Sequence, residues 1–88
     1  MKLAYQFVIQ EVAGSYMAVA VGPNAEDFKD MIKLNGTAKH IFTCLQQKKG
    51  VEEIVMSLSD VYEVSEPEAR KSVESFVSQL RKAGVLVD

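Results

Sequence analysis

The spacing of apolar residues changes period once along this chain, at about Asn35, and that switch constrains the fold more than any other feature. Before it, residues 5 to 12 alternate, with Tyr5, Phe7 and Ile9 on one face and Gln6, Val8 and Gln10 on the other. Side chains that alternate in this way belong to a half-buried strand. Ala13-Gly14-Ser15 is turn chemistry, and Tyr16 to Val21 is short, β-branched and aromatic enough to pair back as the second arm of a hairpin. Gly22-Pro23-Asn24 ends that pairing, because proline has no amide to donate and glycine and asparagine tolerate turn geometry. Ala25 to Lys29 reads as a charged helical turn, followed by a short third strand from Asp30 to Leu34 that places Ile32 and Leu34 on one side and Met31 and Lys33 on the other. A short strand carrying lysine is typical of a sheet edge.

After the switch, three helical stripes follow. Asn35 caps a helix whose apolar face is Ala38, Ile41, Phe42 and Leu45, closed by Lys48-Lys49-Gly50 with the glycine in the left-handed cap conformation. A second helix carries Val51, Ile54, Val55, Leu58, Val61 and Tyr62 on one stripe. Ser65-Glu66-Pro67-Glu68 is a capping box that opens a third, with Ala69, Val73, Phe76, Val77 and Leu80 inward and Arg81, Lys82 and Gly84 at its end. Val85-Leu86-Val87 is expected to return against the core. The predicted class is α+β and winged-helix-like: a three-stranded antiparallel sheet followed by a three-helix bundle, one domain over residues 1–88.

A chain of 88 residues supports one modest core and no deep cavity behind a second lobe, so function is expected at the surface. Its formal net charge of -2 gives no long-range attraction for nucleic acid or anionic lipid. The lone cysteine, Cys44, cannot form an internal disulfide, and cytoplasmic residence is the expectation. The first residues turn polar before a signal-peptide core can form, and no apolar run approaches the roughly 20 residues of a spanning helix.

No residue pattern points to catalysis, so an enzyme is not expected. His40, the only histidine, lies off the apolar stripe and reads as solvent-facing, with no nucleophile at an informative spacing. Together with Cys44 it makes two possible metal ligands where a closed zinc site needs four, and Cys44 reads as a partly buried small hydrophobe. Glu52, Glu53, Glu66 and Glu68 occupy first helical turns, where the helix dipole already accounts for carboxylates. No phosphate-cradling glycine motif occurs, and no cofactor is implied. What remains is an edge strand beside a long amphipathic helix, an arrangement able to accept an extended peptide as a further strand. The same residues also read plainly: Met31 and Lys33 as solvated edge positions, and Val73, Phe76, Val77 and Leu80 as core.

The run Ile32-Lys33-Leu34-Asn35-Gly36-Thr37-Ala38-Lys39-His40-Ile41-Phe42 resembles the "V-x-L-N-x-T-A-x-x-I-[WF]" segment of the pyrroloquinoline quinone biosynthesis protein D family. Val51-Glu52-Glu53-Ile54 is similar to that family's "T-x-E-E-I" helix start, with Val51 in place of the capping Thr or Ser, and Tyr62 to its "L-x-x-x-Y" end. Val73 to Leu80, then Gly84-Val85-Leu86, resembles the "V-x-x-F-[LV]-x-x-L…G-[LV]-[LIV]" close. The resemblance runs from Ile32 to Val87, and the first 31 residues match only as a hairpin.

The resemblance implies a leader-peptide recognition element serving ribosomally made, post-translationally modified peptides. The precursor's leader would lie antiparallel to the third strand, between that strand and the third helix, for delivery to a modifying enzyme that in this family is often a radical S-adenosylmethionine enzyme. The implied strand contacts are Phe28, Lys29, Met31, Ile32, Lys33 and Leu34; the implied helix contacts are Arg70, Val73, Glu74, Val77, Leu80 and Arg81. Within this set Ile32, Leu34 and Leu80 double as core, which leaves Met31, Lys33, Val77 and Arg81 as the direct contacts. The rival reading from element order is a winged-helix DNA-binding regulator using Arg70, Lys71, Arg81 and Lys82, opposed by Glu66, Glu68 and Glu74 on the same helix. A third is a dimerising module that pairs the same edge strand with itself.

Overall fold

The structure is a computed structural model, and it describes residues 1–28 and 31–88. Strands β2 (Gln6–Val12) and β3 (Ser15–Val21) form the expected hairpin, with Phe7 opposite Ala20 and Val12 opposite Ser15. Its two-residue turn has Ala13 at φ 52° and Gly14 at φ 81°. Two successive positive φ values are the turn whose twist matches that of the flanking strands. A 3-10 turn at Ala25–Asp27 leads to β4 (Ile32–Leu34), which pairs antiparallel with β3 through Tyr16↔Leu34, Met17↔Lys33 and Ala18↔Ile32. The sheet order β2-β3-β4 makes β4 an edge, as expected. The strand is shorter than the predicted Asp30–Leu34: Met31 lies outside the ladder, and Asp30 outside the described residues.

Helices α1 (Gly36–Gln46), α2 (Val51–Tyr62) and α3 (Glu66–Lys82) follow. Asn35 caps α1 by accepting from the Ala38 N–H at 2.8 Å, and Ser65 caps α3 by accepting from the Glu68 N–H at 3.3 Å. The α1 exit differs from expectation. Lys48 takes the left-handed conformation at φ 62°, whereas Gly50 is extended and forms the start of α2. With glycine at the cap and Val51 after it, α2 begins without a side-chain cap. Gly84, at φ 76°, turns the chain out of α3 so that the Val85 N–H reaches the Leu80 carbonyl at 2.9 Å.

The core lies between the inner sheet face and the three helices. Phe42, Ile41, Ile54, Val55, Leu58, Val73 and Val85 are its largest fully buried members. The C-terminal return was expected, but its partner was not. Leu86–Val87 (β5) pairs antiparallel with Lys2–Leu3 (β1), a two-residue strand too short to show any period. The α2 stripe also ends earlier than predicted: Val61 and Tyr62 are 58% and 43% exposed, because the helix runs past the core at its last turn. Tyr62 instead donates its hydroxyl to the Gly36 carbonyl at 3.0 Å and packs edge-on against His40. His40 is correspondingly half-buried and hydrogen-bonded to the Ser57 hydroxyl at 2.9 Å, rather than facing solvent. Cys44 is buried. Among the described residues no helix is long and apolar enough to cross a membrane.

Candidate functional site

Strand pairing settles which backbone groups β4 presents outward. In an antiparallel ladder, residues alternate between exchanging hydrogen bonds with the partner strand and directing N–H and C=O away from it. The Phe7 carbonyl accepts from the Gln46 side-chain amide at 2.9 Å, so Phe7 and its odd-numbered neighbours on β2 face away from β3. Their partners Ala20, Ala18 and Tyr16 therefore face β4, and bond Ile32 and Leu34 there. Lys33 is left with its N–H and C=O directed out of the sheet. The ladder cannot extend far beyond it: the Asn35 side chain and carbonyl are committed to α1, the carbonyl accepting from the Lys39 N–H at 2.8 Å.

Beside this open edge a trough runs between β4 and α3. One hollow, of ≈ 420 Å³, is lined by Phe28, Met31, Ile32, Lys33, Phe76, Gln79, Leu80 and Ala83. A second, of ≈ 260 Å³, shares Phe76 and Gln79 with it and is otherwise lined by Asn35, Thr37, Ala38, Ile41, Ser72 and Ser75. The trough thus passes from an apolar end at Phe28 and Ala83 to a hydroxyl- and amide-rich end at Asn35, Ser72 and Ser75. Its apolar end rests on a rigid base, because Phe28 stacks on Tyr5 at 5.6 Å and meets Phe7 edge-on at 5.8 Å, while Phe7 meets Phe42 at 5.3 Å. Met31 is 62% exposed on the rim, a large apolar side chain left in water.

The structure brings Phe28, Met31, Ile32, Lys33 and Leu80 of the anticipated residues together at this trough. Lys29 lies outside the described residues. Leu34, Val73 and Val77 are buried in the core at 2%, 0% and 7% exposure. Arg70 lies on the α2 side of α3, its guanidinium 2.7 Å from Glu52 and 3.2 Å from Glu66. That pairing holds the Glu52 carboxyl below the usual carboxylate range and the Arg70 guanidinium above its own. Arg81 pairs with Asp88 at 2.6 Å, which lowers the Asp88 carboxyl in the same way. Glu74 is exposed on the same flank as these two arginines by helical spacing.

Phe76, Gln79, Ala83, Ser72 and Ser75 were not anticipated. Ser72, Phe76, Gln79 and Ala83 recur at helical spacing on a stripe rotated roughly 85° from the core stripe Ala69, Val73, Val77 and Leu80. The available signal was this second stripe, with Phe76 at its boundary with the core. Among the described residues no cluster of three or more His, Cys, Asp or Glu is placed to hold a metal.

The comparisons with known proteins bear on the same region. No curated protein sequence matches this chain significantly. Among solved structures, TbiB1 in complex with the TbiA(beta) leader peptide superposes over 100% of both chains with a TM-score of 0.77 at 19% identity, a likeness of fold. The family model of coenzyme PQQ synthesis protein D (PqqD) matches residues 10–86, which takes in the end of β2, the turn and all of β3, a stretch that the motifs of the sequence left unassigned. With nearly its whole length matched, the chain belongs to the PqqD family.

Proposed function

We propose that this domain binds the leader segment of a ribosomally made precursor peptide as an added strand on β4 and presents the precursor to an enzyme that modifies it. The observation that carries this reading is the coincidence of an outward-facing Lys33 backbone with an apolar trough alongside it. Backbone pairing supplies affinity for any extended chain, and pockets beside the ladder supply selectivity. Family membership supports the reading, as does the shared fold with TbiB1, which was solved with a leader peptide bound. Phe28, Met31, Ile32, Lys33, Phe76, Gln79, Leu80 and Ala83 form the contact surface. Leu34, Val73 and Val77 shape it from within the core, and Arg70, Glu74 and Arg81 flank it.

The domain acts as a carrier, not as a catalyst. The resemblance in its motifs favours a radical S-adenosylmethionine enzyme as the recipient, and the single, buried Cys44 suits the reducing cytoplasm. Neither the fold nor the family match favours a DNA-binding regulator, and Arg70 and Arg81 on α3 already pair with carboxylates. The test is an NMR titration of the labelled protein with leader peptides encoded beside its gene, with a short DNA duplex as control. Shifts at Phe28, Met31–Leu34 and Phe76–Ala83 on peptide addition are expected. Silence towards every leader, with shifts on DNA, would overturn the reading.

A further inference from the structure

Resting on the leader reading, we infer that the trough recognises a three-residue core in its peptide: a hydrogen-bonding residue, an acidic residue and a large apolar residue, in that order from the N-terminus. The inference follows from β4 register and the gradient of the trough. A strand added antiparallel to β4 exchanges both backbone hydrogen bonds with Lys33 through one central residue. Directly opposed residues of an antiparallel pair have side chains on the same face. The central side chain therefore lies on the outer face with the Lys33 ammonium, where a carboxylate gains a cross-strand partner.

Its two neighbours face the other way, into the trough, because side chains alternate along a strand. The residue on the C-terminal side falls opposite Ile32, over the hollow of Phe28, Phe76, Leu80 and Ala83, and fills it best when large and apolar. The residue on the N-terminal side falls opposite Leu34, beside the hydroxyls of Thr37, Ser72 and Ser75 and the Asn35 amide N–H groups that the α1 cap leaves free, which can exchange water for a hydrogen-bonding side chain. A strand added parallel to β4 would present the reverse order along the same trough.

The experiment is selection of a displayed library of random 12-residue peptides against the full chain, followed by NMR of enriched peptides carrying a nitroxide at the N-terminus. The expected result is enrichment of polar–acidic–apolar cores, with broadening of Thr37 and Ser72 amides. Replacing the apolar residue by serine should weaken binding by about tenfold. Repeating the selection on Lys33→Glu should exchange the central acid for a basic residue. Enriched peptides that shift Lys33 and Phe76 yet lack this order, or broaden Phe28 and Ala83 instead, overturn the inference and leave the leader reading standing. Enriched peptides that bind elsewhere, or no enrichment at all, overturn both.

Discussion

The two edges of one three-stranded sheet are treated differently. At the β2 edge the outward Phe7 carbonyl already accepts from Gln46, a side chain of α1. At the β4 edge the equivalent outward groups, those of Lys33, look over a trough whose floor is aromatic and aliphatic. Edge strands are hazards that proteins normally blunt. Here one is blunted by a neighbouring helix, while the other is kept short and offered beside a hollow. The difference leaves β4 as the open edge, the one the proposed function uses, and it rests on which helix lies alongside: α1 reaches over β2 with a polar amide, whereas a hollow separates α3 from β4.

The comparison can be broken most severely with proline. Ile32→Pro removes a donor that β3 uses and should lower unfolding free energy by on the order of 1–3 kcal/mol in a denaturant titration. Lys33→Pro, one residue away, removes only an outward donor: its unfolding midpoint should stay near wild type while leader affinity drops roughly tenfold to a hundredfold by calorimetry. Equal destabilisation by the two would refute the assigned register. A smaller effect is expected from Ala83→Leu, which narrows the apolar end of the trough from an exposed position. Leader affinity should fall by about tenfold, whereas Arg81→Ala, on the other flank, should change it less than about threefold. On the opposite edge, Gln46→Ala should cost roughly 0.5–1.5 kcal/mol of stability and leave leader binding unchanged.

The smallest effect concerns pH. The Glu52 and Asp88 carboxyls are held below their ordinary values of 4.5 and 3.8 by Arg70 and Arg81. A lowered folded-state value gives stability that is present above the unfolded value and lost as pH falls through the folded one. These exposed pairs should therefore give a slight loss of thermal stability below about pH 4.5, absent in Glu52→Gln combined with Asp88→Asn.

The hairpin and all three helices were legible because each repeats its pattern over enough residues to show a period, whereas the three-residue β4 showed only one alternation, Ile32 and Leu34 against Lys33, and its start was misplaced. Lys2–Leu3 was not, since two residues carry no period and their partner lies at the far end of the chain. Phe28, Met31, Ile32 and Lys33 were legible as neighbours of an edge. The helix side of the trough was harder to read. Periodicity identifies the apolar stripe of α3, but Val73 and Val77 spend that stripe on the core. The face towards β4 is assembled from Ser72, Gln79 and Ala83, residues that look like ordinary solvent positions until α3 is set against the sheet. The charged residues Arg70 and Arg81 drew attention for their chemistry, yet their partners, Glu52 and Asp88, come from α2 and the C-terminus. Such pairings depend on tertiary placement and have no local signature.

Hydrogen exchange of single amides in β4, with and without a bound leader, tests the central claim most directly. Ile32 and Leu34 amides, bonded to β3, should be protected in both states, while the Lys33 amide should exchange rapidly alone and become protected on binding. A Lys33 amide that still exchanges rapidly in the leader-saturated protein would contradict strand addition at this edge.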